Sequence, residues 1–298
     1  MMIYLGRFVL EVKPLLSQQS MIISPTQSSI VSHRYPILVI GGAEDKINGC
    51  DILTTFFESA GGKMSVIGIL PCASQEPIAV GERYEQIFRR MGAPQVKILD
   101  IRNRNECDTE RWLKILANCT GVFITGGDQL RLCDLIGDSQ FITAIKKRIH
   151  LGELALAGTS AGAAIVGEKM ISGGSSGESP NRLLVDLTDG LGIFPELLVD
   201  QHFHNRNRMA RLMSAIAAYP DKLGIGIDEN TCAAFRGDGT FEVLGNGTIT
   251  IIDPGRLTYT NYHHAVEAAS LGLHNLTVHV LSRGDRYNYQ LRSVLSRS

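Results

Sequence analysis

Residues 154–166 read LALAGTSAGAAIV, and Gly158, Thr159, Ser160, Ala161 and Gly162 within them spell G-x-S-x-G. The small apolar residues before the turn suit a short buried strand, and Ala163, Ala164, Ile165 and Val166 suit a helix start. A G-x-S-x-G turn between a strand and a helix is a nucleophile elbow, which lifts a serine hydroxyl above a sheet. Glycine fits both ends of so tight a turn, because a Cβ there would collide with its neighbours. The helix start also brings backbone N–H groups near the hydroxyl, where negative charge develops during acyl transfer. The pattern recurs at 173–177, but that copy follows no evident strand and runs into Glu178, Ser179, Pro180 and Asn181. It reads as a flexible loop. Context therefore favours Ser160; the bare pattern does not separate an elbow from a tight turn that wants a small residue.

A serine nucleophile needs a base within hydrogen-bond reach, and the base needs an acid to orient it. The most polar stretch of the chain supplies candidates: Asp200, Gln201, His202, Phe203, His204, Asn205, Arg206, Asn207, Arg208, Met209, Ala210 and Arg211. His202 follows a predicted strand, and Glu229 follows another. The order Ser, His, Glu is not that of the α/β-hydrolases, where the acid precedes the histidine. Spacing leaves His204 open beside His202, since residues two apart on a strand face the same way. Asp228 competes with Glu229 in the same manner. Arg206 and Arg208 fall near a helix start, where cations oppose the macrodipole. A cost of that kind, repeated over a cluster, points to ligand binding; a single arginine there reads as a solvated helix face.

The elements that must position these groups are legible as alternating strands and helices. Apolar strands are predicted over 35–40, 63–70, 95–99, 121–125 and 154–158, and helices over 48–59, 76–91, 110–118 and 141–150, with another after Gln129. Strands that are apolar throughout, alternating with helices, make a mostly parallel sheet with helices on both faces, an α/β fold. Ligands bind beyond the carboxyl ends of such strands. The glycine turns at Gly41-Gly42, Gly126-Gly127 and the elbow all sit at that edge. Gly127 can set a backbone N–H beside that of Ala161, forming an oxyanion hole, whereas Gly41-Gly42 reads as a simple connection. Further strands are predicted over 197–199, 223–227, 233–236, 241–244, 248–252 and 276–281, with Asp238-Gly239 and Asn246-Gly247 as hairpin turns. The C-terminal strands read as an antiparallel extension of the same sheet.

Composition narrows the classes. The 298 residues are 44% hydrophobic and 20% charged, enough to bury a substantial core. A net charge of −1 gives no global attraction to nucleic acid or anionic membrane. Six cysteines without a C-x-x-C argue against a zinc site or a disulfide framework and for a reducing cytoplasm. No stretch is apolar for long enough to span a bilayer. No phosphate-binding glycine motif is present, and no metal or cofactor is expected. Residues 1–34 read as a disordered arm, rich in Ser, Gln and Thr towards its end, with Met21 a candidate start; 35–298 reads as a single catalytic domain.

Five blocks in order, GGAEDK at 41–46, ITGGDQLRL at 124–132, GTSAGA at 158–163, DQHF with R-x-R-x-x-R at 200–211, and GIGIDENTCA at 224–233, resemble the cyanophycinases, serine exopeptidases of the peptidase E-like group. The resemblance spans about 36–281. It implies a class I glutamine amidotransferase-like, flavodoxin-like sheet, with Ser160 as nucleophile, His202 as base and Glu229 as the orienting acid. It places Gln129, Asp200, Gln201, Arg206, Arg208 and Arg211 around the substrate. It implies cyanophycin as substrate, a poly-aspartate with arginine on each β-carboxyl, and a homodimer. Arginines suit the aspartate carboxylates, and Asp200 with nearby carboxylates suits the arginine branches. The competing readings are an aspartyl dipeptidase of the same superfamily and a non-catalytic amidotransferase-like binding module.

Overall fold

The structure, a computed structural model, describes residues 35–296, so the expected arm at 1–34 lies outside the described residues. In the first half each strand is followed by one or two helices: β1 (Ile37–Ile40), α1 (Asp51–Ser59), β2 (Val66–Leu70), α2 (Pro77–Met91), β3 (Gln95–Ile98), α3 (Arg104–Cys107), α4 (Glu110–Asn118), β4 (Gly121–Ile124), α5 (Gln129–Ile136), α6 (Gln140–His150), β5 (Ala155–Thr159) and α7 (Ala161–Ala164). The helix expected from 48 begins only at Asp51. Asp45 explains the delay: its carboxylate accepts from the N–H groups of Ile47 and Asn48, which holds 45–50 as a turn. The brief α3 escaped the sequence reading; Asn103 caps it by accepting from the N–H of Glu106.

The second half contains β6 (Lys169–Gly174), β7 (Val185–Asp189), β8 (Leu197–Gln201), α8 (Met209–Ala218), β9 (Leu223–Ile227), β10 (Thr231–Phe235), β11 (Thr240–Gly245), β12 (Ile249–Asp253), β13 (Tyr259–Thr260), β14 (Leu273–His274), β15 (Thr277–Leu281), β16 (Arg286–Asn288) and β17 (Ser293–Leu295). The large sheet runs β17-β16-β11-β10-β1-β5-β4-β2-β3. Its β1-β5-β4-β2-β3 part is parallel, and β10, β11, β16 and β17 extend it antiparallel beyond β1. A separate sheet of four strands runs β15-β12-β9-β8.

That second sheet corrects one expectation. The strands at 248–252 and 276–281 do not extend the large sheet; they pair as β12 and β15 in the small one. Asn246-Gly247 is accordingly no hairpin turn but the crossing from one sheet to the other, whereas Asp238-Gly239 does join the paired strands β10 and β11. The second G-x-S-x-G also differs from expectation. It does follow a strand, because Lys169–Gly174 pairs antiparallel with β7. Its glycines and serines carry little strand propensity, so pairing across the hairpin, not local preference, makes the strand.

Side-chain alternation explains the layers. Leu38 and Ile40 of β1 pack with Ile67, Ile69 and Phe123 beneath α1 and α2, where Phe56, Tyr84 and Phe88 surround Phe123 at ring-centroid distances of 5.4, 4.6 and 5.6 Å. Ile37 and Val39 point the other way, into a core shared with α4, α5 and α6 and with Val199, Ile225 and Ile251 of the small sheet. The small sheet's outer face, with Leu198 and Ile252, is covered by Leu212 and Ile216 of α8. Strands apolar on both faces are thus buried on both faces. Each such Leu, Ile or Phe contributes about 1.5–3 kcal/mol of burial. The two sheets meet where the carboxyl ends of β1, β5, β8 and β9 converge.

Candidate active site

Ser160 follows β5 directly, at φ 53° and ψ −110°, a conformation that L-residues rarely adopt. Its N–H donates to the Ile40 carbonyl at 3.0 Å, and its carbonyl accepts from Ala163 and Ala164 at 2.9 and 3.0 Å. The flanking glycines are obligatory. A Cβ on Gly158 would stand 2.2 Å from the Gly162 oxygen, and one on Gly162 would stand 2.6 Å from the Ile124 oxygen. Strand, turn and short helix therefore close on one another without room for any other side chain. Strain of this kind costs of order 1–3 kcal/mol and persists where the surroundings over-determine it.

His202 follows β8, with φ 49° and a backbone N–H that donates to the Gly41 carbonyl at 2.8 Å. Its Nε2 lies 2.9 Å from Ser160 Oγ, and its Nδ1 lies 2.7 Å from Glu229 Oε1. A carboxylate only accepts, so Nδ1 carries the proton and Nε2 is left to accept from the serine hydroxyl. Burial pushes the His202 pKa below the ordinary histidine value; the Glu229 hydrogen bond opposes that, and the nearby Arg206 charge adds to it. The imidazole is neutral at pH 7, as a base must be.

Glu229 lies between β9 and β10, in the turn where the chain leaves the small sheet for the large one. Its N–H donates to Asn205 Oδ1 at 3.1 Å, and the next residue, Asn230, donates its N–H to the Gly42 carbonyl at 2.8 Å. The competing pair is accounted for separately. His204 Nδ1 lies 3.0 Å from Asp228 Oδ1, and Asp228 also accepts from the Thr248 hydroxyl at 2.8 Å. Burial pushes the Asp228 carboxyl up, but the His204 backbone N–H and the Thr248 hydroxyl and N–H outweigh it and hold the group below its usual range. Strand parity fails here for a simple reason: the chain turns at His202 and enters a 3-10 turn at His204–Arg206, so the two histidines diverge.

The Gly41-Gly42 turn is not the bare connection expected. A Cβ on Gly42 would come within 2.5 Å of His202 Nε2, and one on Gly41 within 2.1 Å of the Asp228 oxygen. No local signal distinguished this turn, because its partners lie more than a hundred residues away. Gly126 presses on the nucleophile in the same fashion: a Cβ there would be 3.1 Å from Ser160 Cβ. Ala161, the first residue of α7, follows the serine, and Gly127, at φ 143°, follows Gly126.

The residues expected around the substrate divide. Asp200 and Arg211 turn to each other below the surface, with side chains 0% and 5% exposed, through two hydrogen bonds, that from Nε being 2.9 Å long. Such a pair ties the end of β8 to the start of α8. Gln201 is buried too and accepts from Arg208 Nη1 at 2.7 Å. Arg208 immediately precedes α8 and also reaches Asp200 at 3.3 Å; burial pushes its pKa down to about 10, still cationic at neutral pH. Arg206 is exposed beside the histidine. Gln129 Nε2 donates to the Ile171 and Ser172 carbonyls at 3.2 and 2.7 Å, tying α5 to β6. Among the described residues no group of three or more His, Cys, Asp or Glu could hold a metal ion, and no helix is long and apolar enough to cross a membrane.

Peptidase family S51 matches residues 37–243, a span that contains Ser160, His202 and Glu229. A cyanophycinase from Trichormus variabilis is 56% identical over 259 residues, 87% of this chain and 87% of its own. One from Geminocystis herdmanii is 54% identical over 255 residues, 86% of this chain and 94% of its own. One from Synechococcus elongatus is 49% identical over 292 residues, 97% of this chain and 91% of its own. In fold, the chain resembles the crystal structure of a peptidase from an acI-B1 Actinobacterium, with a TM-score of 0.61 at 20% identity, over 86% of this chain and 97% of that one.

Proposed function

The chain belongs to peptidase family S51, and from that premise we propose that it is a serine exopeptidase that hydrolyses cyanophycin to β-Asp-Arg dipeptides. The observation that carries the chemistry is the line of hydrogen bonds from Ser160 Oγ through His202 to Glu229, 2.9 and 2.7 Å long. His202 Nε2 takes the hydroxyl proton as Ser160 Oγ attacks the carbonyl carbon of an α-peptide bond in the aspartate backbone. Glu229 fixes the tautomer and stabilises the imidazolium that forms. The N–H groups of Gly127 and Ala161 receive the oxyanion. The tetrahedral intermediate expels the amine, which takes its proton from His202, and leaves an ester on Ser160. Water, deprotonated by His202, then attacks the ester; its collapse returns the proton to Ser160 and frees the acid.

Arg206 is the candidate for gripping a backbone carboxylate, because it is exposed and near enough to His202 to lower its pKa. Arg208 is held by Gln201, and Gln129 ties α5 to β6. The proposal extends to a homodimer in the cytoplasm, the assembly being checked by light scattering. The functional test is incubation with cyanophycin granules, with products identified by mass spectrometry. Release of β-Asp-Arg by the wild type, and none by Ser160→Ala, is the expected result. Intact cyanophycin alongside cleaved aspartyl dipeptides would replace this reading with that of a dipeptidase.

A further inference from the structure

The mechanism leaves one buried carboxylate unused. Glu44 has a side chain only 1% exposed, yet three groups converge on it. Its Oε2 accepts from the Thr159 hydroxyl at 2.6 Å. Its Oε1 accepts from the Tyr84 hydroxyl and lies 3.0 Å from Lys46 Nζ. Burial, and then the carboxylate itself, push the Tyr84 pKa well above the ordinary tyrosine value, so that phenol stays a donor. Taking a carboxylate out of water is expensive, and hydrophobic residues could have filled the space at less cost. What the carboxylate holds matters more than what it stabilises.

Glu44 ends a four-residue loop that touches His202 and the chain neighbours of Ser160 and Glu229. Gly41 O accepts from the His202 N–H, and Gly42 O accepts from the Asn230 N–H beside Glu229. The face of Gly42 lies against the imidazole with no room for a Cβ. Thr159, which Glu44 grips, is the residue bonded to Ser160. Ala43, Ser160, His202 and Asn230 all hold positive φ near 50°, conformations that need external support. We propose that Glu44 is the positioning residue of the triad, a clamp that locks the 41–44 loop to Thr159 and so sets Ser160 against His202. The inference rests on the serine peptidase reading. Glu44 itself takes no part in bond-making; it acts through Thr159, Gly42 and His202.

The clamp requires an acceptor for two hydroxyls and a countercharge for Lys46, which an amide cannot supply. Glu44→Gln should lower kcat on cyanophycin about 100-fold, the scale on which a misplacement of about 1 Å acts. KM should stay within about 3-fold, since uniform binding is untouched. The rate of fluorophosphonate labelling should fall with kcat at temperatures well below unfolding. Thr159→Val removes the hydroxyl without changing the shape, should lose activity on the same scale, and serves where Glu44→Gln fails to fold. Thr159→Ser should restore most of what valine loses. The double variant should be no worse than Glu44→Gln, because the Thr159 contact is already broken there. A wild type that cleaves and labels, beside Glu44→Gln or Thr159→Val doing so equally well, overturns this inference alone. A wild type that neither cleaves nor labels overturns the peptidase reading and the inference with it.

Discussion

Ser160 stands at the end of β5 in the large parallel sheet, whereas His202 and Glu229 follow β8 and β9 of the small sheet. The serine's turn is built by its neighbours, Gly158, Gly162, the β5 strand and a four-residue helix, with Ile40, Gly126 and the Glu44–Thr159 contact added from elsewhere in the chain. The geometry of the histidine and the glutamate is built by distant contacts, through Gly41, Gly42, Asn205 and the turn at 228–230. One half of the site is therefore written largely in a local motif and the other only in tertiary contacts. A local motif can be kept intact while activity is lost through residues that look unremarkable in sequence.

Substitutions on the two sides separate these contributions. Ser160→Ala and His202→Ala should each lower kcat by roughly 10⁶-fold, since triad members act as a unit. Ser160→Ala, which removes only a hydroxyl, should leave the unfolding free energy within about 0.5 kcal/mol of wild type. Glu229→Gln should cost about 10⁴-fold by favouring the wrong tautomer. It would sharpen the comparison, because the small-sheet side would fail with Ser160 in place; steady-state kinetics on cyanophycin and urea denaturation read both effects.

Arg211→Ala should act on stability first. It removes the two-pronged partner of Asp200, 0% exposed, and leaves only Arg208 at 3.3 Å, at a cost of up to about 3–5 kcal/mol visible in the urea midpoint. Arg206→Ala should leave stability alone and reduce kcat/KM about 10–100-fold, the worth of a charge-assisted contact. Its pH profile is the sharper readout. Activity needs neutral His202, so kcat/KM should fall as pH drops through a pKa below the usual ~6.5. Arg206 opposes protonation, so its removal raises that pKa and moves the acid limb to higher pH. An unmoved limb would remove Arg206 from the histidine's surroundings. Ser175→Ala, in the second G-x-S-x-G, should change activity and stability least, within about 0.5 kcal/mol.

The parallel half of the fold was legible because its strands are continuous apolar runs and its helices carry apolar faces, as with Phe56 and Phe57 of α1. The elbow was legible because its cause is local. The small sheet was not, since β12 and β15 look the same whether they extend one sheet or build another. Residue types alone left His202 beside His204 and Glu229 beside Asp228; the turn at His202, which ends strand parity, separates the pairs. The arginines at 206, 208 and 211 looked alike in sequence, and only burial tells the exposed one from the one locked onto Asp200. Gly42 and Glu44 gave no local signal of the distant residues they hold.

The central claim is that a base carried by one sheet activates a serine carried by the other. Labelling with a fluorophosphonate, followed by mass mapping of the modified peptide in wild type and His202→Ala, tests it most directly. The account predicts a single adduct on Ser160 in the wild type and its near-complete loss in His202→Ala. An adduct on Ser175, or undiminished labelling of Ser160 without the imidazole, would contradict it.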